Sequence, residues 1–179
     1  MDPALTWTLA VALATLFALS AAMKFAELDQ FAAALENYRL LPPILVAPAA
    51  RVIPAMEAMA ALGILLPAAR TDASLLMAAL LAIFTAAIAI NLARGRTEID
   101  CGCFGPVLKQ TLSGWLLARN AILIGASIAT AAPMHSRPLA FVDFVTIGCG
   151  AATLTVLYAS MNYLLANAPW LRTMERLDA

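Results

Sequence analysis

Two stretches of this chain, Ala4 to Met23 and Ala73 to Ala93, contain no charged side chain. Each is long enough to cross the hydrocarbon core of a bilayer, which takes about 20 apolar residues. A small soluble core could not cover such runs, because 63% of all residues are hydrophobic and only 12% are charged. The sequence therefore predicts an integral membrane protein. It excludes a disordered chain, a nucleic-acid binder and an ordinary soluble enzyme.

Three further stretches are apolar enough to span a membrane, although each carries one or two charged side chains. Together the five predicted spans cover residues 4–23, 44–69, 73–93, 111–132 and 139–168. They predict an all-α polytopic bundle of four to five transmembrane helices, in one domain over residues 1–179. The first span is interpreted as a retained helix and not as a signal peptide, because the leading residues Met1-Asp2-Pro3 contain no Lys or Arg.

The segment between the first two spans has the pattern of an amphipathic helix. Apolar side chains recur at spacings of three and four while polar side chains occupy the opposite arc, and Pro42-Pro43 ends the pattern. The apolar positions are Leu28, Phe31, Leu35 and Tyr38, and the polar ones are Asp29, Gln30, Glu36 and Asn37. The helix would lie in the lipid headgroup region or serve as a connector that hides its apolar side.

Basic residues in the short loops predict how the chain is oriented. They are concentrated in the first loop, in the third loop and in the C-terminal tail, whereas the second and fourth loops carry only Arg70 and Arg137. This bias favours an N-terminus outside the cytoplasm. It places the third loop, between residues 93 and 111, on the cytoplasmic side.

Two of the charged residues inside predicted spans lie far from the ends of those spans, where charge is costly and partners are expected. Glu57 and Arg119 lie at about the same depth, roughly 12 Å in at 1.5 Å per residue, and are the obvious ion pair to test. Asn120 and Asn91 could complete a polar cluster around them. The cluster would either have a functional role or only fix the register of the helices. Asp143, near the start of the fifth span, is expected at the membrane boundary.

Two of the three cysteines, Cys101 and Cys103, are separated by Gly102 in the third loop. Asp100, Phe104 and Gly105 flank them and indicate a tight turn. A disulfide between thiols so close along the chain has little dihedral freedom, and strain of that kind makes a bridge easier to reduce. A reversible redox pair, a permanent bridge and two reduced thiols are the alternatives.

Metal binding is disfavoured at this motif, because one thiol pair is half a zinc site and the single histidine, His135, lies in another loop. Cys149 lies about ten residues into the fifth span. It would serve in packing or as a third, resolving thiol.

The order of these features resembles the MauE family of methylamine-utilisation membrane proteins, which are relatives of the DoxX-like proteins. The resemblance rests on motifs spread along nearly the whole chain. They are Met23-Lys24-Phe25, Asn37-Tyr38-Arg39-Leu40-Leu41-Pro42, the Glu57-bearing span, Asn91-Leu92-Ala93-Arg94-Gly95, Asp100-Cys101-Gly102-Cys103-Phe104-Gly105 and Arg119-Asn120. The cysteine string is the specific part of the match.

The resemblance implies a protein of the bacterial inner membrane that helps to mature the small subunit of an exported quinoprotein amine dehydrogenase. It also implies a thioredoxin-like partner, MauD, facing the periplasm. Cys101 and Cys103 would be the redox pair, and as an enzyme the protein would be a thiol-disulfide oxidoreductase component. The alternative is a non-catalytic assembly factor whose cysteine pair is a structural staple. No cofactor is predicted; a quinone would suit an electron relay, but no residue pattern supports one.

Overall fold

A computed structural model describes residues 1–96, 112–134 and 137–177, with side chains described up to residue 164. All regular structure in these residues is helical. The six helices are α1 Pro3–Ala26, α2 Leu28–Tyr38, α3 Pro43–Gly63, α4 Arg70–Ala93, α5 Gly114–Ala131 and α6 Phe141–Leu177. Five of them, with α6 counted over Phe141–Leu164, are long and apolar enough to cross a membrane. The predicted all-α membrane bundle is therefore confirmed.

The predicted amphipathic helix between the first two spans is also present, as α2. Phe31 and Tyr38 are buried while Asp29 and Glu36 are exposed, as the periodicity predicts. The helix ends at Arg39, whose φ of 49° is left-handed and breaks the helical geometry. The next span begins at Pro43, where the fixed φ of proline suits the first turn of a helix.

Two spans differ in extent from the sequence prediction. The second ends at Gly63 and not at residue 69, because residues 64–69 form the turn that leads into α4. The fifth continues to Leu177, beyond residue 168. Polar residues in its last turns do not stop a helix, since a helix can leave the hydrocarbon and continue in water.

The connectivity defines two ends of the bundle. Residues 1–2, the turn at 64–69 and the described residues between α5 and α6 lie at one end, here called the N-terminal end. Helix α2, the last turn of α4 and the first turn of α5 lie at the opposite end, here called the α2 end. Each helix packs mainly on one or two neighbours: α1 on α3 and α6, and α4 on α5 and α3.

The apolar core lies between α1, α3 and α4. Its largest buried side chains include Leu13, Phe17, Ile64, Met77 and Leu80. Small residues let the helices approach closely where lipid supplies little hydrophobic drive for association. Ala10 and Ala14 of α1 and Ala60 and Ala61 of α3 are buried at this contact. The core therefore packs α1 against α3, the two helices that carry Lys24 and Glu57.

The last helix, α6, approaches α1 at a glycine. A Cβ built on Gly150 would lie 2.8 Å from Cγ2 of Thr8, which is closer than side chains tolerate, whereas one built on Gly148 would meet nothing within 4 Å. We expect Gly150→Ala to destabilise the bundle by roughly 1–3 kcal/mol through overpacking. Gly148→Ala is the matched control and is expected to be neutral or slightly stabilising. Thermal unfolding in detergent measures both, and equal effects would contradict this account of the contact.

An exposed clasp at the N-terminal end joins Asp2, just before α1, to Arg137 and to the start of α6. Arg137 donates to Asp2 at 3.2 Å and to Asp143, in the first turn of α6, at 2.8 Å. Asp2 also caps α1 by accepting from the amide of Ala4 at 2.8 Å. Asp143, expected at the membrane boundary, therefore lies where the chain enters α6.

The clasp predicts an acid-sensitive part of the stability. The Arg137 hydrogen bond, and then the Ala4 amide, lower the pKa of Asp2 below its ordinary value. A carboxyl group whose pKa is lowered by folding stabilises the folded state at pH values above its unfolded pKa of about 4. This stabilisation is lost as the pH falls through the pKa of the folded state. We expect Arg137→Gln to lower the unfolding temperature slightly at pH 6, and less at pH 3. A difference that grows on acidification would contradict the assignment.

Candidate functional site

A buried ion pair links α1 to α3 in the half of the bundle nearer the α2 end. The ammonium of Lys24 lies 2.5 Å from Oε1 of Glu57, and their side chains are only 4% and 3% exposed. Lys24 also donates to Oγ of Ser20 at 2.8 Å, and Ser20 donates to Oε2 of Glu57 at 3.2 Å. Both carboxylate oxygens are therefore held, which a charge so far from water requires.

Local sequence explains how the two charges meet. Ser20 and Lys24 are four residues apart on α1, so they lie on the same face one turn apart. Glu57 lies three residues after Pro54, which is fully buried inside α3. The ammonium of Lys24 also lies over two aromatic rings, 5.3 Å from the centroid of Phe31 and 5.0 Å from that of Phe84. Both distances are within the range of cation–π attraction.

A second polar group, centred on Arg119 of α5, ties α4 to α6. The guanidinium donates to Oδ1 of Asn162 at 2.7 Å and to Oδ1 of Asn120 at 3.1 and 3.3 Å. The amide of Asn120 donates in turn to Thr85 of α4 at 3.2 Å. The ring of Tyr158 lies 5.6 Å from the centre of the guanidinium. Arg119 and Asn120 are 6% and 2% exposed, so this group is also largely shielded from the membrane.

The two groups face each other across a small cavity, here called the polar chamber. Its polar lining is Ser20, Lys24, Glu57, Arg119, Asn120 and Tyr158, and its apolar walls include Phe17, Leu81 and Phe84. The accessible volume is about 50 Å³. Since a water molecule needs about 10–15 Å³ measured in this way, the chamber has room for a few waters or one small ligand. Two cations and one carboxylate thus line a space inside the membrane.

The sequence prediction is wrong about the partner of Glu57. The ionic partner is Lys24 and not Arg119, although Arg119 lines the same chamber. Lys24 lies in the last turn of α1, at a position that the sequence prediction assigns to the basic first loop. Packing of α2 and α4 over Lys24 instead covers its ammonium with the rings of Phe31 and Phe84. The equal depth of Glu57 and Arg119 brings them to one cavity without making them a pair.

Asn91 lies outside the lining of the chamber, on the last turns of α4. It is fully buried, donates to the carbonyl of Ala87 at 3.0 Å and accepts from Arg96 at 3.3 Å. The backbone amide of Arg96 also donates to the carbonyl of Asn91. Asn91 therefore secures the end of α4 from which the cysteine-bearing connection departs.

The cysteine motif itself lies outside the described residues: Asp100, Cys101, Gly102, Cys103, Phe104 and Gly105. The structure does describe both flanks of the connection. On one side is Arg96, and on the other is Leu112, which packs in an apolar cluster with Tyr38, Ile88 and Leu116. The connection therefore leaves and rejoins the bundle at the α2 end. Cys149 is a free thiol, exposed on the surface of α6.

The sequence prediction does not include several residues of the site, although some of them could have been identified from their sequence context. Asn162 is a lone amide in an apolar stretch of α6, which marks it as a candidate partner for Arg119. Tyr158 precedes it by one turn. Arg70, counted as a loop charge, is also buried, and it donates to the sulfur of Met134 at 3.1 Å. Among the described side chains, no group of three His, Cys, Asp or Glu residues is arranged to hold a metal ion.

Fold and site together define a polytopic α-helical membrane protein with a charged chamber between its helices. Comparison with known proteins names the family. The model of the family "Methylamine utilisation protein MauE" matches residues 2–133, and the chain belongs to this family. The match spans α1 to α5, including every chamber residue except Tyr158 of α6.

Individual relatives extend the similarity into α6. The chain is 36% identical to the methylamine utilization protein MauE of Paracoccus denitrificans, over 92% of this chain and 89% of the relative. It is 39% identical to the MauE protein of Paracoccus versutus, over 91% of this chain and 88% of the relative. It is 40% identical to the MauE protein of Methylorubrum extorquens, over 87% of this chain and 84% of the relative. No solved structure matches the chain. The family predicted from the motifs is thus confirmed.

Proposed function

We propose that this protein is a membrane thiol-disulfide factor in the maturation of an exported amine dehydrogenase small subunit of the methylamine-utilisation type. Its Cys101–Cys103 pair would exchange electrons with a thioredoxin-like partner. Membership of the MauE family carries the proposal, together with a cysteine pair whose spacing suits an easily reduced bridge. The inner membrane of a bacterium is the proposed location, since the client is exported.

The exchange is a two-electron step. A thiolate of the partner attacks one sulfur of the Cys101–Cys103 disulfide, the S–S bond breaks, and a mixed disulfide forms. The partner's second thiolate then displaces the cysteine of this chain. The partner leaves as a disulfide that can oxidise its client, and Cys101 and Cys103 take up two protons as thiols.

The anchoring of the cysteine-bearing connection supports such a role. On one flank Asn91 holds the backbone of Arg96, and on the other Leu112 is buried against Tyr38 and Ile88. The two described flanks of the connection are therefore both tied to the bundle at the α2 end.

Trapping of a mixed disulfide tests the proposal. Cys103→Ser cannot form the Cys101–Cys103 disulfide, but its Cys101 thiolate can still attack the disulfide of the oxidised partner, which is the reverse of the exchange above. The resulting mixed disulfide cannot be resolved by Cys103, so a covalent complex with a thioredoxin-fold protein should accumulate in cells. Cys101→Ser tests the opposite order of attack, and Cys149→Ser is the matched control that should trap nothing. If neither single variant traps a partner and client disulfides form normally in both, a thiol-exchange role is wrong. The non-catalytic assembly factor with a disulfide staple would then be favoured.

Thiol labelling from each side of intact cells tests the orientation. The loop charges favour a cytoplasmic cysteine pair, whereas an exported client requires access from the periplasm. We expect a membrane-impermeant maleimide added outside to label Cys101 after mild reduction in a Cys149→Ser background. Labelling from the cytoplasmic side alone would contradict direct exchange with a periplasmic partner.

A further inference from the structure

An apolar groove at the α2 end has features of a ligand site. It lies between α2, α3 and α4 and has an accessible volume of about 440 Å³. Volumes of about 300–1,000 Å³ are usual for sites that hold small organic molecules. Its lining, here called the α2 groove, includes Phe31, Tyr38, Leu41, Ile53, Phe84 and Ala87. The lining is almost entirely apolar, so the occupant must present an apolar surface.

A second lipid-facing groove of similar volume allows a comparison. It lies between α1 and α3, measures about 480 Å³ and is lined by small and aliphatic residues that include Ala18, Ala58 and Leu62. Phe25 is the one aromatic residue in its lining, whereas the α2 groove has three. An acyl chain of a phospholipid needs only an aliphatic surface. A wall built of aromatic rings adds affinity for a flat conjugated ring.

The buried ion pair shares two side chains with the α2 groove. The ammonium of Lys24 lies within 5.3 Å of the centroids of Phe31 and Phe84, and both rings line the groove. Because Glu57 neutralises this ammonium, its contact with the rings adds no net charge to the wall. The contact holds the two rings in place as a flat aromatic surface.

The α2 groove also borders the described residues on both sides of the connection that carries the cysteine pair. Ile90, three residues before the end of α4, lines the groove. Leu112, where the structure resumes, packs with Tyr38 and Ile88, which line it as well. The rim is completed by Leu40 and Leu41 in the turn after α2, where the backbone is no longer helical and its polar groups can face a ligand.

We propose that the α2 groove binds the ring and first isoprene units of a membrane quinone. This inference rests on the proposed function, because a cysteine pair that its partner has reduced must pass two electrons to an acceptor, and a membrane quinone is a two-electron acceptor. The reaction balances: the two S–H bonds of Cys101 and Cys103 break and an S–S bond forms. Two electrons and two protons pass to the quinone, whose two carbonyl oxygens become the hydroxyls of the quinol.

Cross-linking and binding test the groove directly. The full-length protein in nanodiscs of synthetic phosphatidylcholine is titrated with a short-chain azido-ubiquinone, then irradiated and digested. We expect saturable labelling of residues 31–41 and 83–90, competed by unlabelled ubiquinone but not by added phosphatidylcholine. Ala86, an exposed residue of the lining, is replaced by Phe to fill the groove. Ala86→Phe should weaken binding at least tenfold, whereas Ala18→Phe, which fills the α1–α3 groove, should leave it unchanged.

Three outcomes would overturn the site: labelling that does not saturate, competition by phosphatidylcholine equal to that by ubiquinone, or equal effects of the two Phe variants. Failure of the proposed function gives a different result. The Cys101→Ser, Cys103→Ser double variant should bind ubiquinone as tightly as the parent protein but form no quinol from it. If the parent protein binds ubiquinone at the α2 groove and also forms no quinol, electron transfer from the cysteine pair to the quinone is overturned while the binding site remains. The thiol-exchange role is decided separately, by the trapping of a mixed disulfide.

Discussion

Replacing Glu57 by Gln is expected to destabilise the bundle by about 3–5 kcal/mol, because it leaves the ammonium of Lys24 buried without its counter-ion. Lys24 is 4% exposed and cannot turn to water without displacing the rings of Phe31 and Phe84. Lys24→Gln should cost about as much, since it leaves a buried carboxylate. Reversible unfolding in mixed detergent micelles measures both variants.

A double-mutant cycle identifies which cation the carboxylate depends on. We expect Lys24→Gln combined with Glu57→Gln to be much less destabilised than the sum of the single variants, because neutral side chains remove both charges together. Glu57→Gln combined with Arg119→Gln should lie closer to its sum. If the cycle with Arg119 shows the larger coupling, Lys24 is not the main partner of Glu57.

The second large effect is expected at Arg119. Arg119→Met removes the hydrogen bonds to Asn120 and Asn162 and leaves two buried amide oxygens without that donor, at about 1–3 kcal/mol each. Arg119→Lys keeps the charge but loses the planar fork that reaches both amides, so it should fall between the parent protein and Arg119→Met. Arg51→Met, at an exposed position on α3, is the control and should change stability by less than about 0.5 kcal/mol.

The readout must separate loss of packing from loss of the hydrogen bonds. Arg119 contacts the ring of Tyr158 as well, so part of the effect of Met comes from altered packing. Asn162→Leu removes the partner while keeping a side chain of similar size. The Arg119→Met and Asn162→Leu effects should be strongly non-additive. Additive effects would mean that the 2.7 Å bond between them does not hold α6 to α5.

Much of the fold could be predicted from hydrophobic length alone, because a membrane span needs a fixed number of apolar residues whatever its neighbours are. The amphipathic period of α2 was equally readable, since Phe31 and Tyr38 alternate with polar residues at helical spacing. The family was recognisable from short motifs such as Arg119-Asn120 and Asp100 to Gly105. Each of these features is local in the sequence.

The ionic partner of Glu57 could not be predicted from the sequence, because it depends on which helix faces meet after the helices pack. Lys24 lies where a loop charge is common, and only the cover provided by α2 and α4 buries it. Glu57 therefore forms its ion pair with Lys24. The α2 groove was equally hidden, since its aromatic walls come from helices more than 40 residues apart in the sequence. The positions and spacings of charged residues can be taken from a sequence, but which side chains line the same cavity cannot.

The position of α6 has a consequence for how the protein is made. It is the last of the six helices along the chain, and it supplies Asn162 and Tyr158 to a site otherwise built from α1, α3, α4 and α5. While ribosomes synthesise the chain, α5 enters the membrane before the partner of Arg119 on α6 exists. The Arg137 clasp and the Gly150 contact likewise form only after that insertion. Insertion of α6 is therefore the step that supplies the last partners of the buried charges and closes the cavity.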